Sequence, residues 1–312
     1  MKGAAIFLTP FVLSAAWSWR TGAPLPAPRA GYAAGVRHGE FVIAGGSYWS
    51  HGVKMRTADV SLYNPKRNHW RAGPAMPVAL SDVGSASIGE TLYVLGGSDS
   101  EAARGEVYAL TDAGWKERAD LRLPAPRMNG AAASDGKYLF YAGGLAKFGD
   151  YQSAVSTVWM IDSENPYSGW LRLPDCPGGP RFILAAAALK GKLYLFGGAR
   201  AAGAEVHNLS DVWMLDWKRR VWTRRDPLPE PRRAMWAALE RGGILLFAGY
   251  TDVFRNDILY LDPRNGSFRK TGEIPQPIAD AKFCKIGKTW YTAGGEVGPK
   301  IRGTDLWLGE WR

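Results

Sequence analysis

An all-β fold of six radially repeated blades is predicted by three observations. Glycine pairs recur at Gly45-Gly46, Gly96-Gly97, Gly143-Gly144, Gly197-Gly198 and Gly294-Gly295, with a degenerate copy at Ala248-Gly249. Each pair follows a short β-branched or aromatic run: EFVIA, TLYVL, YLFYA, LYLF, ILLF and TWYTA. The third observation is an unmatched strand at each end of the repeating region. Such runs suit strands buried on both faces, and glycine after them accommodates close packing or a positive φ.

The spacing of about fifty residues is the kelch period. After each glycine pair a loop leads to a second strand, in the copies DVSLYNP, EVYALTD, TVWMIDS, DVWMLDW, DILYLDP and DLWLGEW. An outer strand then carries Trp70, Trp115, Trp170, Trp222 or Phe268. A Pro-rich corner follows, ending in arginine at PAPR29, PAPR127, GGPR181 and PEPR232. Four strands per repeat make a propeller blade, and the aromatics are expected to fill the wedges between blades. The chain stops after DLWLGEW, one strand short of a sixth blade, while Trp17-Ser18-Trp19-Arg20 precedes the first. The prediction is a six-bladed kelch-type β-propeller over 17–312, with residues 17–24 completing the last blade and protecting its edge.

Residues 1–16 read as a signal peptide. Lys2 provides a positive start, 4–13 an apolar core, and Ser14-Ala15-Ala16 small residues before a cleavage point at Trp17. The apolar stretch is shorter than the ~20 residues a membrane helix needs. A periplasmic or secreted protein, without membrane insertion after cleavage, is therefore expected.

The formal charge of +10 favours anionic partners. There is no Lys/Arg run and no recognised nucleic-acid module, so an acidic sugar is expected rather than nucleic acid. Two cysteines, Cys176 and Cys284, are too few for a disulfide framework, though they could pair. Four histidines, His38, His51, His69 and His207, lack metal-ligand spacing. No metal or cofactor is expected, which disfavours copper-radical chemistry.

Function in a propeller concentrates at the mouth of the central channel. The residues after the glycine pairs are Ser47, Ser98, Leu145, Ala199, Tyr250 and Glu296. Glu296 is the one acid among them, and Arg302 follows six residues on, beyond a stiffening Pro299. The two could flank one small site; alternatively they form a surface ion pair of little energetic consequence. The corner arginines Arg29, Arg127, Arg181 and Arg232 are candidates for substrate binding, because guanidinium forks grip carboxylates in bidentate fashion. If they converge on the axis, the mouth is electropositive. Tyr48 and Trp49 could stack on a sugar or, as favoured here, pack on the rim.

Two stretches resemble the N-acetylneuraminate epimerase (sialic acid mutarotase) family of kelch proteins. They are SGWLRLPDCPGGPRFILAAAALKGKLYLFGG, residues 168–198, and GGEVGPKIR, residues 294–302. The blade order is rotated, so the resemblance is to the cyclically permuted branch. It implies that Glu296 and Arg302 are the catalytic pair of a cofactor-free isomerase that opens and recloses a sialic acid ring. The family's long insertion after one glycine pair is absent, the segment being GYTDVFRND, 249–257. A non-enzymatic propeller binding an acidic glycan or a protein is the alternative.

Overall fold

The computed structural model describes residues 17–312. The expected signal peptide, 1–16, lies outside the described residues. Six four-stranded antiparallel sheets surround a central axis. Among the described residues the helical content is three single 3₁₀ turns, Ala119–Leu121, Tyr151–Ser153 and Pro166–Ser168.

Blade 1 comprises Ala33–Arg37, Glu40–Ala44, Val60–Asn64 and His69–Ala72, numbered from the axis outward. Blades 2 to 5 repeat the plan and begin at Gly84–Ile88, Ala131–Ser134, Ala185–Leu189 and Trp236–Glu240. Blade 6 joins Cys284–Ile286, Thr289–Ala293 and Leu306–Trp311 to Trp17–Thr21. Trp17 lies opposite Trp311 and Thr21 opposite Trp307. Stacking of Trp17 on Trp19 and Trp311, with ring centroids 5.2 and 6.0 Å apart, reinforces the pairing. The seam thus closes through the N-terminal strand, as the unmatched termini predict.

The second strand of each blade is its most deeply buried: Phe41, Val42, Ile43, Leu92, Leu139, Leu193 and Ile244 fill the layers between sheets. The outer-strand tryptophans also lock neighbouring blades together. Their indole N–H groups donate backward, Trp70 to the Ala23 carbonyl, Trp115 to Pro74, Trp170 to Leu121 and Trp222 to Pro174, at 2.8–3.0 Å. Phe268 has no such donor.

Near the axis two sets of backbone hydrogen bonds run around the molecule. The second residue of each glycine pair, or its equivalent, donates to the next corner: Gly46 to Leu80, Gly97 to Arg127, Gly144 to Arg181, Gly198 to Arg232, Gly249 to Ile278 and Gly295 to Arg29. This contact explains the glycines. A Cβ on Gly45 would lie 2.7 Å from the Leu80 carbonyl oxygen, and one on Gly197 2.4 Å from that of Arg232. Closer in, Gly31, Asp82, Asn129, Ile183, Ala234 and Asp280 all have φ between +52° and +67°. Each N–H in this ring donates to the carbonyl of the preceding member, at 2.6–3.0 Å in five cases. The sixth bond, Gly31 to Asp280 at 3.5 Å, crosses the seam.

The corner arginines turn into their blades, not toward the axis, correcting the expectation that they bind substrate. Arg181 makes a bidentate pair with Asp211 at 3.0 and 2.7 Å, and Arg232 pairs with Asp257 at 3.0 and 3.1 Å. Arg29 donates to the Asp59 carbonyl and the Ser61 hydroxyl. In blade 3 Thr157 stands in place of the acid, and Arg127 lies over the Trp159 ring instead, 4.8 Å from its centroid. All four arginines are buried. Asp211 and Asp257 are each the first residue of the repeated second-strand motif, so in blades 4 and 5 corner and strand are fastened by a charge pair.

Two outcomes follow. Deleting residues 17–21 should lower the melting temperature by about 10 °C or more, since an entire strand and its tryptophan stack are lost; an unchanged thermal transition contradicts this closure. Arg232→Met should cost about 3 kcal/mol in denaturant unfolding by leaving buried Asp257 with only the longer Arg255 contact at 3.5 Å, while adding Asp257→Leu should recover most of it. A neutral single variant would show that the pair does not carry the corner.

Candidate functional site at the channel mouth

The inner ring forms the floor of a cavity of about 330 Å³ at the channel mouth. Five ring side chains line it: Asp82, Asn129, Ile183, Ala234 and Asp280. The walls come from loops and hairpins after the glycine pairs, with Lys54, Tyr151, Tyr250, Phe254, Glu296, Pro299 and Arg302, and from Arg233 at a corner. On the other side of the ring, inner strands rich in Ala, Gly and Ser line a second cavity of about 370 Å³. Its walls hold few groups capable of chemistry.

The structure brings the two residues singled out by the sequence together at the mouth. Glu296–Gly298 and Ile301–Arg302 form a tight hairpin in which Glu296 lies directly opposite Arg302. Pro299 and Lys300 turn it, and Lys300 adopts φ +61°. Glu296 is held beside the ring by reciprocal backbone hydrogen bonds with Ala279, 2.9 and 2.8 Å. Arg302 Nη1 stands 2.7 Å from Glu296 Oε1. The contact is one of charge and not an aligned hydrogen bond, because Arg302 Nε and Nη1 are buried without a hydrogen-bond acceptor. The Arg302 side chain is 6% exposed and the Glu296 side chain 29%. A buried fork with unspent donors is costly unless something accepts from it.

Two acids that the sequence reading passed over complete the floor. A Cβ on Gly31 would lie 3.1 Å from Asp82 Oδ1 and 3.2 Å from Asp280 Oδ2. The carboxyls therefore face each other across the one ring position without a side chain, within about 6 Å, close enough for like charges to interact. Their environments differ. Burial opposes ionisation of Asp82, but the Lys54 ammonium at 2.8 and 2.9 Å and the Ser81 hydroxyl outweigh it and hold its pKa below the usual value. Asp280 is pushed up to about 6, first by burial and then by the Asp82 charge, with Lys282, Arg302 and Lys54 opposing. Burial also lowers the pKa of Lys282, whose ammonium lies 4.7 Å from the Trp236 ring centroid.

Arg29, Arg127, Arg181 and Arg232 are absent from the cavity lining, so they do not make the mouth electropositive. Its cations are Lys54, Arg233 and Arg302, balanced formally by Asp82, Asp280 and Glu296. A signal for the missed acids exists in the sequence. Aligning the second residue after each corner gives Gly31, Asp82, Asn129, Ile183, Ala234 and Asp280. The two corners lacking arginine, Leu80 and Ile278, are those that precede aspartate.

The rim is partly aromatic. Tyr250 packs edge-on against Phe254, 5.1 Å between centroids, in a hairpin whose short turn stands where the longer insertion was expected in the family. Arg233 lies over Tyr250 at 4.6 Å and donates to Asn208. Tyr151 stacks on Phe182 at 5.3 Å. Trp49 packs beneath Lys300 and is not in the cavity lining, which agrees with its expected place on the rim. Cys176 and Cys284 are both free. Among the described residues, no three His, Cys, Asp or Glu side chains gather in a way that could hold a metal ion.

Comparison with known proteins agrees with the architecture. Residues 82–295 match the family described as KLHDC2/KLHL20/DRC7 Kelch-repeats domain, and residues 28–77 match the Kelch motif. N-acetylneuraminate epimerase of Yersinia enterocolitica is 27% identical over 51% of this chain and 51% of its own length. Kelch-like protein 25 of Xenopus tropicalis is 25% identical over 85% of this chain and 44% of its own length. Beta-scruin of Limulus polyphemus is 25% identical over 74% of this chain and 25% of its own length. The chain spans about half the length of these curated relatives, or less. With most of its length matched by the repeat family and all six blades in place, the chain belongs to the kelch-repeat family.

Proposed function

We propose that the mouth cavity binds a cyclic sugar acid of the sialic acid class and interconverts its anomers by opening and reclosing the ring. The observation that carries this reading is the Glu296–Arg302 hairpin. A carboxylate sits beside a buried guanidinium that retains unspent donors, and both face a cavity large enough for a single sugar. Export to the periplasm or beyond belongs to the same reading.

Anomerisation requires a base at the anomeric hydroxyl and a proton at the ring oxygen. Glu296 takes the base role, since a carboxylate can accept the hydroxyl proton and return it on closure. Arg302 is a poor acid because its pKa exceeds ~12. Its free donors instead hold the substrate carboxylate or negative charge developing on oxygen. Tyr151, Tyr250, Phe254 and Ile183 offer apolar surface to the sugar's faces. The similarity to N-acetylneuraminate epimerase supports the substrate class.

A second reading, a propeller that binds a glycan or protein without turning it over, is favoured by one observation. Exposed Tyr48, Met55, Phe148 and Tyr151 lie on loops and hairpins after the glycine pairs. The similarity to Kelch-like protein 25 is compatible with it.

The readings separate by NMR of freshly released α-N-acetylneuraminic acid, following decay of the α-anomer faster than its spontaneous conversion. The enzyme reading predicts acceleration by the wild type, reduced ~10²-fold or more in Glu296→Gln. Arg302→Lys should weaken binding and slow turnover together, because an ammonium cannot rebuild a planar fork. Binding without acceleration leaves the second reading in place. Wild-type rates in Glu296→Gln contradict the assigned base.

A further inference from the structure

We propose that Asp280 is the proton donor of the mouth site, delivering hydrogen to the sugar's ring oxygen while Glu296 accepts it from the anomeric hydroxyl. The inference rests on the acid–base reading above and assigns the half of the reaction that Glu296 and Arg302 leave open.

The geometry points to Asp280 by contrast with its neighbours. Asp82 accepts from Lys54 Nζ at 2.9 and 2.8 Å, from Ser81 Oγ at 2.9 Å and from Ser98 Oγ at 3.3 Å. Glu296 has Arg302 at 2.7 Å and the Lys300 N–H at 3.3 Å. The Asp280 carboxyl lines the same cavity, yet among the described residues it has no hydrogen-bond partner. Its backbone is fixed at the cavity floor, because its own N–H and carbonyl are tied into the inner ring. Position and partnering thus divide the acids: one fixed by a lysine, one paired with an arginine, one left for whatever enters the cavity.

The surrounding charges set its protonation. Facing Asp280 are Asp82 and Lys54 across the Gly31 gap, Arg302 and Glu296 on the mouth hairpin, Lys282 two residues along its own chain, and Tyr32. Burial and the Asp82 charge outweigh the cations, so the group titrates near pH 6 and keeps a proton below it. A carboxyl whose pKa burial raises in this way is suited to the acid role. When Asp280 is protonated, the lining carries three cations against two ionised acids, which also favours an anionic sugar.

The step balances without any co-reactant. Glu296 removes the anomeric hydroxyl proton, and the oxygen's electron pair forms the ketone. The bond from the anomeric carbon to the ring oxygen breaks, its electron pair stays on that oxygen, and Asp280 supplies the proton. After the ketone rotates, the hydroxyl oxygen attacks its other face, Asp280 takes back the hydroxyl proton, and Glu296 returns its proton to the new anomeric oxygen.

The test is the α-anomer decay assay between pH 5 and 8, with spontaneous conversion subtracted, on wild type, Asp280→Asn, Asp82→Asn and Glu296→Gln. Asparagine tolerates the left-handed backbone at these ring positions, so a folded Asp280→Asn protein is expected, with an undiminished melting temperature at pH 7.5. The acceleration by wild type should fall as pH rises through about 6. Asp280→Asn should lose ~10²-fold or more of it. Asp82→Asn should move the alkaline fall to lower pH, because it removes a like charge and frees Lys54, both of which favour ionised Asp280. A structural role for Asp280 would not move that limb. Wild-type rate and pH profile in Asp280→Asn, alongside a slow Glu296→Gln, overturn this inference and leave the Glu296–Arg302 reading intact. A wild type without acceleration overturns both. Independently of turnover, ¹³C NMR of the Asp280 carboxyl should show titration near pH 6; full ionisation across pH 5 to 8 rules the donor out.

Discussion

The inner ring of backbone hydrogen bonds is the constraint on which the rest of the molecule depends. Six residues, one per blade, adopt left-handed conformations so that every N–H reaches the carbonyl of the preceding blade. Such backbone is ordinary for Gly31, and tolerable for Asp82, Asn129 and Asp280. It is unfavourable for Ile183, a β-branched residue at φ +52°, by roughly 1–2 kcal/mol. That Ile183 nonetheless complies shows how firmly the surrounding blades determine the ring. The same geometry turns five ring side chains into the mouth cavity. Closing the fold and furnishing the site are therefore one structural act.

Charge is sorted by distance from that ring. Within the blades, Arg181 and Arg232 meet the leading acids of the second-strand motif in buried pairs, Arg29 donates to the Asp59 carbonyl and Ser61, and Arg127 lies over an aromatic ring where the acid is missing. At the mouth, Lys54, Arg233 and Arg302 face Asp82, Asp280 and Glu296 with incomplete pairing. The first set lies within the blades and holds corners to strands. The second retains a free carboxyl and a buried guanidinium with donors to spare, and unsatisfied groups of that kind inside a cavity are what a ligand would complete. The corners with Leu80 and Ile278 in place of arginine introduce both ring aspartates.

Much of this was legible in the sequence. The glycine pairs announce the close approach of the next corner, since any side chain there would strike a carbonyl oxygen. The unmatched strands at Trp17 and at DLWLGEW point to the seam. Glu296 stands out as the departure from an otherwise neutral column, Arg302 follows it six residues on, and the hairpin brings them face to face. The direction of the corner arginines was not legible: repetition locates Arg181 and Arg232 but does not say whether a long side chain points to the axis or back into its blade. Only the register that sets Asp211 and Asp257 beside them decides it. Asp82 and Asp280 escaped because they follow the corners and not the glycines, and a left-handed residue directs its side chain in a way that strand alternation does not anticipate.

The central claim is that the ring behaves as a single closure, and native-state hydrogen exchange of its amides tests it most directly. The N–H groups of Asp82, Asn129, Ile183, Ala234 and Asp280 lie in short connections between blades, positions where exchange is ordinarily fast. If the ring closes the fold, they should exchange together, at a free energy close to that of global unfolding. Gly31, whose seam bond is the longest at 3.5 Å, should be the least protected. Rapid exchange at independent rates, like that of exposed loops, would show that the blades hold the propeller without the ring.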